Sequence, residues 1–394
     1  MRLQLGPGTT GRRPARPAAA AALVALAVLA PPGARRASEA HADGTLSMRG
    51  VYYKERATRV MQPMLDGAFE AGERGLVTAH LLVDAITSAS QSSGAVAAEP
   101  FTERRYEGGV GYAHQLSVGK LGAEVKYSTE PDYKSLYAGL RAEAELAQKN
   151  TVLGLGGGLG RDTVSGGPAS GLGQLLLQCD PQVEQEQDEC SLHTYAVFAS
   201  ASQIVSRTAV IGVSADFAAL RGYQSNPYRS AIVGAGTSIG TLRERHPDQR
   251  NRTALAASAR YYVRQTQTTL IGAYRYYRDD WKIRAHTPEL RAVQLIGEAA
   301  DATLRYRFHA QTQKAFFYEE RYLMEQPFLS DDIKLSKFTT HTLEAKLGVR
   351  GEAFGVPERW AGARLEAILQ YVIQNNRFGN AIVAHAALTI PFTY

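Results

Sequence analysis

Residues 302–311 read Ala302, Thr303, Leu304, Arg305, Tyr306, Arg307, Phe308, His309, Ala310, Gln311, and the order separates by twos. Ala302, Leu304, Tyr306, Phe308 and Ala310 make one set, and the residues between them are polar or charged. A strand sends alternate side chains to opposite faces, so this segment is expected to be apolar on one face and charged on the other. One such strand constrains little. Its recurrence along most of the chain constrains a great deal.

Leu136, Ala138, Leu140, Ala142, Ala144 and Leu146 alternate with Arg141, Glu143 and Glu145. The same period places Glu124 and Lys126, Arg260, Glu344 and Lys346, and Arg364 and Glu366 between apolar residues of other segments. A soluble barrel or sandwich buries its inner face, and this density of buried charge would be very costly. The inverted arrangement, with charges in water and the Leu/Ala face inside a soluble sandwich, is the competitor. Three features favour a membrane instead: segments of about 10–15 residues, Tyr or Phe near strand ends, and short turns alternating with long loops. The expected fold is all-β, a single antiparallel up-and-down transmembrane β-barrel of about 14–16 strands. Glu124, Lys126, Arg141, Glu143, Glu145, Arg260, Arg305, Arg307, His309, Glu344, Lys346, Arg364 and Glu366 are expected to face its lumen. Leu140, Leu304, Tyr306, Phe308, Leu343, Leu365 and Leu369 are expected to face lipid. Counting from Leu76 gives about fourteen strands, and single-chain barrels are even-numbered. Residues 50–69 would make fifteen, so either that first segment is not a full span or a further strand is hidden in 222–251.

The N-terminus does not share the pattern. Arg2, Arg12, Arg13 and Arg16 precede an apolar run over 18–30, too short for a spanning helix and suited to a secretory leader. Three parts follow: residues 1–42 as signal peptide and leader, 43–75 as an N-terminal segment holding a possible first strand, and 76–394 as the barrel. Cleavage at Ala40-His41-Ala42 and cleavage near Ala34 both remain open. Six of the 44 basic and one of the 38 acidic residues lie in 1–42, so the net charge of +6 falls to about +1 without the leader. The basic character is therefore no argument for nucleic acid, and no nucleic-acid partner is expected.

The stretch 164–191 lacks alternation and reads as a long loop. It contains both cysteines, Cys179 and Cys190, and in an exported protein a disulfide between them is the natural reading, with free thiols as the alternative. No Cys/His spacing suggests a metal and no glycine-rich loop suggests a phosphate, so no cofactor is expected. The chain ends with Phe392 and Tyr394, two apart, which resembles the terminal signal read by outer-membrane assembly machinery. Pro391 cannot donate a ladder hydrogen bond, so imperfect closure is expected there. Outer-membrane lipid and that machinery are the expected partners.

Asp84-Ala85-Ile86-Thr87-Ser88-Ala89-Ser90, Asn226-Pro227-Tyr228 and Tyr274-Arg275-Tyr276-Tyr277-Arg278-Asp279-Asp280-Trp281 followed by His286-Thr287 together resemble a bacterial family of uncharacterised outer-membrane proteins. That family is known only as a domain of unknown function, and the resemblance covers most of 50–394. It implies the barrel and its location, and it carries no activity with it.

The motifs sit at loops and strand ends. Tyr274–Trp281 could stack on a sugar, but aromatics anchoring the barrel at the interface are the favoured reading. Asp279-Asp280 could hold Ca²⁺, against the plainer reading of a turn exposed to water. Ser88 or Ser90 with His80 could serve a lipid-modifying hydrolase, although nothing in the sequence supplies a third group. A passive channel or transport-related barrel of unknown substrate is the first expectation. The alternatives are an outer-membrane hydrolase and a structural or surface-interaction barrel acting through its loops.

Overall fold

The computed structural model describes residues 43–393 except 57, 89–100, 167, 170–172, 175, 181–184 and 237. The leader, Ser90 and Tyr394 lie outside the described residues. Sixteen strands form one closed antiparallel barrel. They are β1 Gly44–Lys54, β2 Thr58–Ala71, β3 Gly75–Ser88, β4 Phe101–Leu116, β5 Gly119–Thr129, β6 Tyr133–Leu146, β7 Thr151–Ser165 and β8 Glu189–Ser206. The second half comprises β9 Ala209–Gly222, β10 Gln249–Val263, β11 Thr268–Asp279, β12 Arg284–Ile296, β13 Ala300–Gln313, β14 Phe338–Arg350, β15 Arg364–Gln374 and β16 Ala381–Phe392. Each strand pairs with its sequence neighbours, and β16 returns to β1.

The even number is reached at the N-terminus. Residues 43–75, expected to hold one strand, hold two, β1 and β2, joined at 55–57. The stretch 222–251 supplies no additional barrel strand, only a separate hairpin, Ser230–Ala235 against Ser238–Arg243. Closure differs from expectation as well. The register runs without a break from Gly44↔Phe392 through Thr45↔Pro391 to Lys54↔Ile382. Pro391 forgoes only its own donor, which a neighbouring ladder tolerates. Phe392 packs on Phe69 at 5.8 Å between ring centroids, sealing the seam on the outside.

Period two fixes which residues share a face. Arg305 lies opposite Glu344 and Arg291, and Arg307 opposite Glu289, while Leu304 lies opposite Ala345 and Ala292. The apolar face looks outward: Leu140 is 70 % exposed and Leu304 66 %. The glycines of β7 have a specific use. Side chains at Gly156 and Gly158 would collide with the rings of Phe198 and Tyr137, which lie flat against the inner wall. Glycine there lets two neighbouring strands turn aromatic rings sideways without filling the barrel.

The two ends differ. One carries the short turns 72–74, 117–118, 147–150 and 207–208, together with both ends of the barrel strand order. The other carries the long connections 166–188, 223–248 and 314–337.

Candidate functional site at the long-loop mouth

Two of those long loops build a cap. Val233 and Arg245 of loop 223–248 form bridges with Tyr322 and Leu329 of loop 314–337. Ala231 and Leu329 are fully buried between them. The Tyr322 hydroxyl accepts from the Ser330 amide at 2.8 Å and donates to the Phe317 carbonyl, fixing the second loop across its own width. An apolar cluster of Trp281, Ile283, Ala315, Phe317, Tyr318 and Leu335 holds the base of that loop on the β11–β12 turn. Buried backbone needs partners, and these bridges supply them, so the loops are packed structure rather than loose connections.

On the other side, Cys179 and Cys190 form a disulfide. Cys190 is buried with Val164, Leu177 and Tyr223, pinning loop 166–188 to the start of β8.

Between cap and wall lies a cavity of about 1070 Å³. Glu55, Arg105, Glu130, Asp132 and Tyr133 come to it from the wall, and Tyr223, Asn226, Tyr228, Arg229 and Glu244 from the cap. The Asn226 side chain accepts from the Tyr228 amide at 2.9 Å, so this motif shapes the loop that enters the mouth. Glu244 and His246 form a buried pair, and Arg229 is paired with Asp332. Asp331 is 3 % exposed and neither of its oxygens has a hydrogen-bond partner. Burial, with Glu244 and Asp332 adding to it, pushes its carboxyl up to about 6 against the pull of Arg377 and Arg229. Burial also raises Glu130 at the β5–β6 turn, with Asp132 and Asp84 adding to it and Arg105 opposing.

Below the mouth, the expected lumen residues share the inner face, and many are paired across strands. Glu289 accepts from Arg291 at 2.7 Å and from Arg307 at 2.8 Å. Arg305 bridges Glu289 and Glu344, and Gln370 donates to Glu344 at 2.7 Å. Lys346, Glu366, Arg364 and Asp301 continue the chain of charges. The far wall has its own set, with His80 between Asp66 and Glu107, and Arg105 between Glu107 and Asp84. Lys126 sits near Glu124 at 3.2 Å, and His309 meets the Thr287 hydroxyl at 2.9 Å. Arg141, Glu143, Glu145 and Arg260 occupy the same inner positions.

The motif residues separate. Tyr274 faces outward, bonded to His286 at 2.6 Å, whereas Arg275 and Tyr277 alternate inward. Trp281 is no interfacial anchor: it is 3 % exposed, and its indole donates to the Gln249 carbonyl at 2.9 Å. The acid pair divides: the Asp279 carboxylate is buried, while Asp280 is exposed at the turn. Asp279 binds Arg250, Tyr277 and the Ile283 amide, and Asp280 accepts from Asn251. Both Asp279 oxygens take protein donors, and so does Oδ2 of Asp280. Among the described residues no group of three or more His, Cys, Asp or Glu is placed to hold a metal ion. Ser88 and His80 lie on one strand eight residues apart, about 26 Å at 3.3 Å per residue, so that nucleophile and base do not meet. Asp84 of the same motif is a buried partner of Arg105. Sequence reasoning missed Tyr322, Glu244, His246 and Asp331; their significance comes from contacts between loops nearly 90 residues apart in the chain, which leave no local pattern.

A closed sixteen-strand antiparallel barrel with an apolar exterior and a charged interior is a barrel of the outer-membrane type. More specifically, the chain belongs to the family described as "Protein of unknown function (DUF3570)", whose model matches residues 97–375. No curated protein matches it in sequence. Among solved structures it is similar in fold to a "Bacterial polysaccharide outer membrane secretin", with a TM-score of 0.51 and 10 % identity over 90 % of this chain and 100 % of that one. It is similar as well to "CdiB from Acinetobacter baumannii", with a TM-score of 0.51 and 7 % identity, covering 88 % of this chain and 60 % of that one.

Proposed function

We propose that this chain resides in the bacterial outer membrane and passes small polar solutes through its lumen, with the two-loop cap acting as the selective element. The observation that carries this reading is the 1070 Å³ cavity between the cap and a charge-lined wall. Barrels of this strand number are wide enough for an aqueous path. Around the cavity Glu55, Glu130, Asp132, Glu244 and Asp332 outnumber Arg105, Arg229 and Lys334, which favours cationic or neutral, hydroxyl-rich solutes over anions. Tyr53, Tyr133, Tyr223 and Tyr228 add ring faces and hydroxyls suited to a polyhydroxylated cargo.

The test is conductance of the refolded, heat-modifiable protein in planar bilayers under a KCl gradient. Cation-preferring steps that enlarge when 230–243 is deleted are the expected result. A folded barrel that passes no current, with or without that hairpin, overturns the channel reading and leaves the surface-interaction alternative.

A further inference from the structure

The inner cations are largely paired with carboxylates; a second set of cations points the other way. Lys54 of β1, Arg59 of β2, Arg104 of β4, Lys134 of β6 and Arg161 of β7 occupy outward, exposed positions at the long-loop end. Arg278 and Arg284 do the same on β11 and β12, directly opposite each other in the register. None of these seven is in an ion pair among the described residues. At the short-turn end the outward strand positions are aliphatic, Met, Gly, aromatic or uncharged polar residues and one His, His114, with no Lys, Arg, Asp or Glu among those described. Glu189, the first residue of β8, is the acid on the outward face of the cationic end. Long side chains snorkelling to an interface would serve both ends equally. Here only one end has them on its strands; at the other end Arg74, Lys149, Arg207 and Arg264 lie in the turns.

The height of the ring matches an interface. Lys134 and Leu146 are twelve residues apart on β6, about 40 Å of strand and about 30 Å along the normal at a tilt of about 40°. That is the thickness of a bilayer's hydrocarbon, so Lys134 stands at its upper border. Below Arg278 and Arg284 the outer face dips into a groove of about 830 Å³. Gly272, Ala292 and Ala345 form its floor, with Leu290, Leu304 and Leu343 among its walls. From Gly272 to Arg278 is about 20 Å of strand, or about 15 Å along the normal, the depth of one leaflet. Tyr274, bonded to His286, lies between the groove and the arginines.

We propose that this face binds a phosphorylated, multiply acylated lipid of the leaflet at the long-loop end, its phosphate held by Arg278 and Arg284 and its acyl chains laid in the groove. Charge complementarity selects the occupant: two adjacent unpaired guanidiniums fit a phosphate in paired hydrogen bonds, which a neutral lipid or an apolar protein face would leave unsatisfied. The inference rests on the outer-membrane placement and not on the channel reading, so a non-conducting barrel leaves it intact.

The test is native mass spectrometry of the detergent-purified full barrel incubated with bis-phosphorylated lipid A or with its dephosphorylated form. The wild type is expected to retain the phosphorylated lipid at least tenfold better. Arg278→Gln with Arg284→Gln is expected to abolish that preference while heat-modifiable migration persists; Arg74→Gln, in a turn of the opposite end, should keep it. Should the double variant fail to fold, the comparison of the two lipids on the wild type still decides. Equal retention of both lipids, or an unchanged preference in the folded double variant, overturns the proposal. So does a lipid-independent dimer that buries Leu290 and Leu304, which would give the groove to a second copy.

Discussion

The Arg250 guanidinium lies 4.0 Å over the Trp281 ring while also binding the Asp279 carboxylate. This contact joins the start of β10 to the β11–β12 turn, and loop 314–337 is packed against it. His246 reaches the same ring edge-on at 5.1 Å, so both capping loops end on one indole.

Trp281→Ala should therefore loosen the cap and spare the wall. Truncating a buried aromatic of this size costs about 3–5 kcal/mol. The loss is expected as tryptic cleavage within 223–248 and 314–337, with the barrel still heat-modifiable on gels. Unchanged protection would show that the loops hold one another without Trp281.

Asp331 gives the cap a pH dependence whose sign follows from its surroundings. Its carboxyl is pushed up to about 6, so the folded cap holds a proton more tightly than the open loop does. That contribution is full below the unfolded carboxylate value near 4 and fades as pH rises through about 6. Between about pH 5 and 7.5 the cap should lose about 1–2 kcal/mol, about a tenfold rise in opening. Hydrogen exchange of the Tyr322 and Leu329 amides at the two pH values measures it. Asp331→Asn, which cannot ionise beside Glu244 and Asp332, should flatten the dependence; the same slope in that variant would assign it elsewhere.

Leu304 and Arg305 are adjacent in sequence and opposite in consequence. Leu304→Arg places a charge on the outward apolar face and should cost about 2–4 kcal/mol near mid-membrane. Arg305→Leu has no such penalty, and from the alternation alone it would be expected to be nearly harmless. The ion pairs change that expectation: removing the guanidinium leaves Glu289 and Glu344 without their shared cation, for about 1–3 kcal/mol. Urea midpoints of the two variants in lipid vesicles separate the cases. Restoration of Arg305→Leu by adding Glu344→Gln would identify stranded carboxylate as the cause.

The wall was legible because a barrel strand repeats one physical constraint every two residues. Leu136–Leu146 obeys it throughout, with Ala and Leu outward and Arg141, Glu143 and Glu145 inward. β1 was harder to see because Val51 and Tyr53 point inward among the polar set, and the turn after Lys54 is too short to read as a break. The cap was invisible for a different reason. Tyr322 meets Ile232 through a hydrogen bond between segments about 90 residues apart, and Asp331 owes its raised carboxyl to burial under the packed loops, with Glu244 of the other loop adding to it. No periodicity marks such pairings. Trp281 misled for the same reason: an aromatic at a strand end is commonly interfacial, and only the returning loop buries it.

The Cys179–Cys190 disulfide lets wall and loop stability be separated by experiment. The bond joins residues 11 apart in sequence with Cα atoms 5.3 Å apart. Closing a loop of that length is worth about 2–3 kcal/mol to the local structure by chain entropy. Cys190 lies just inside β8, whose ladder to β7 runs on from Glu189↔Ser165 to Gln203↔Thr151 and does not depend on the sulfur. Reduction, or Cys179→Ser with Cys190→Ser, should therefore expose 166–188 to protease while heat-modifiable migration and the β7–β8 pairing persist. Tyr223, packed against Cys190 and lining the mouth cavity, should lose its shielding in step. Fluorescence quenching of tyrosine by acrylamide follows it, with the Tyr223→Phe variant assigning the signal. Collapse of the whole barrel on reduction would mean that the bond supports the wall itself.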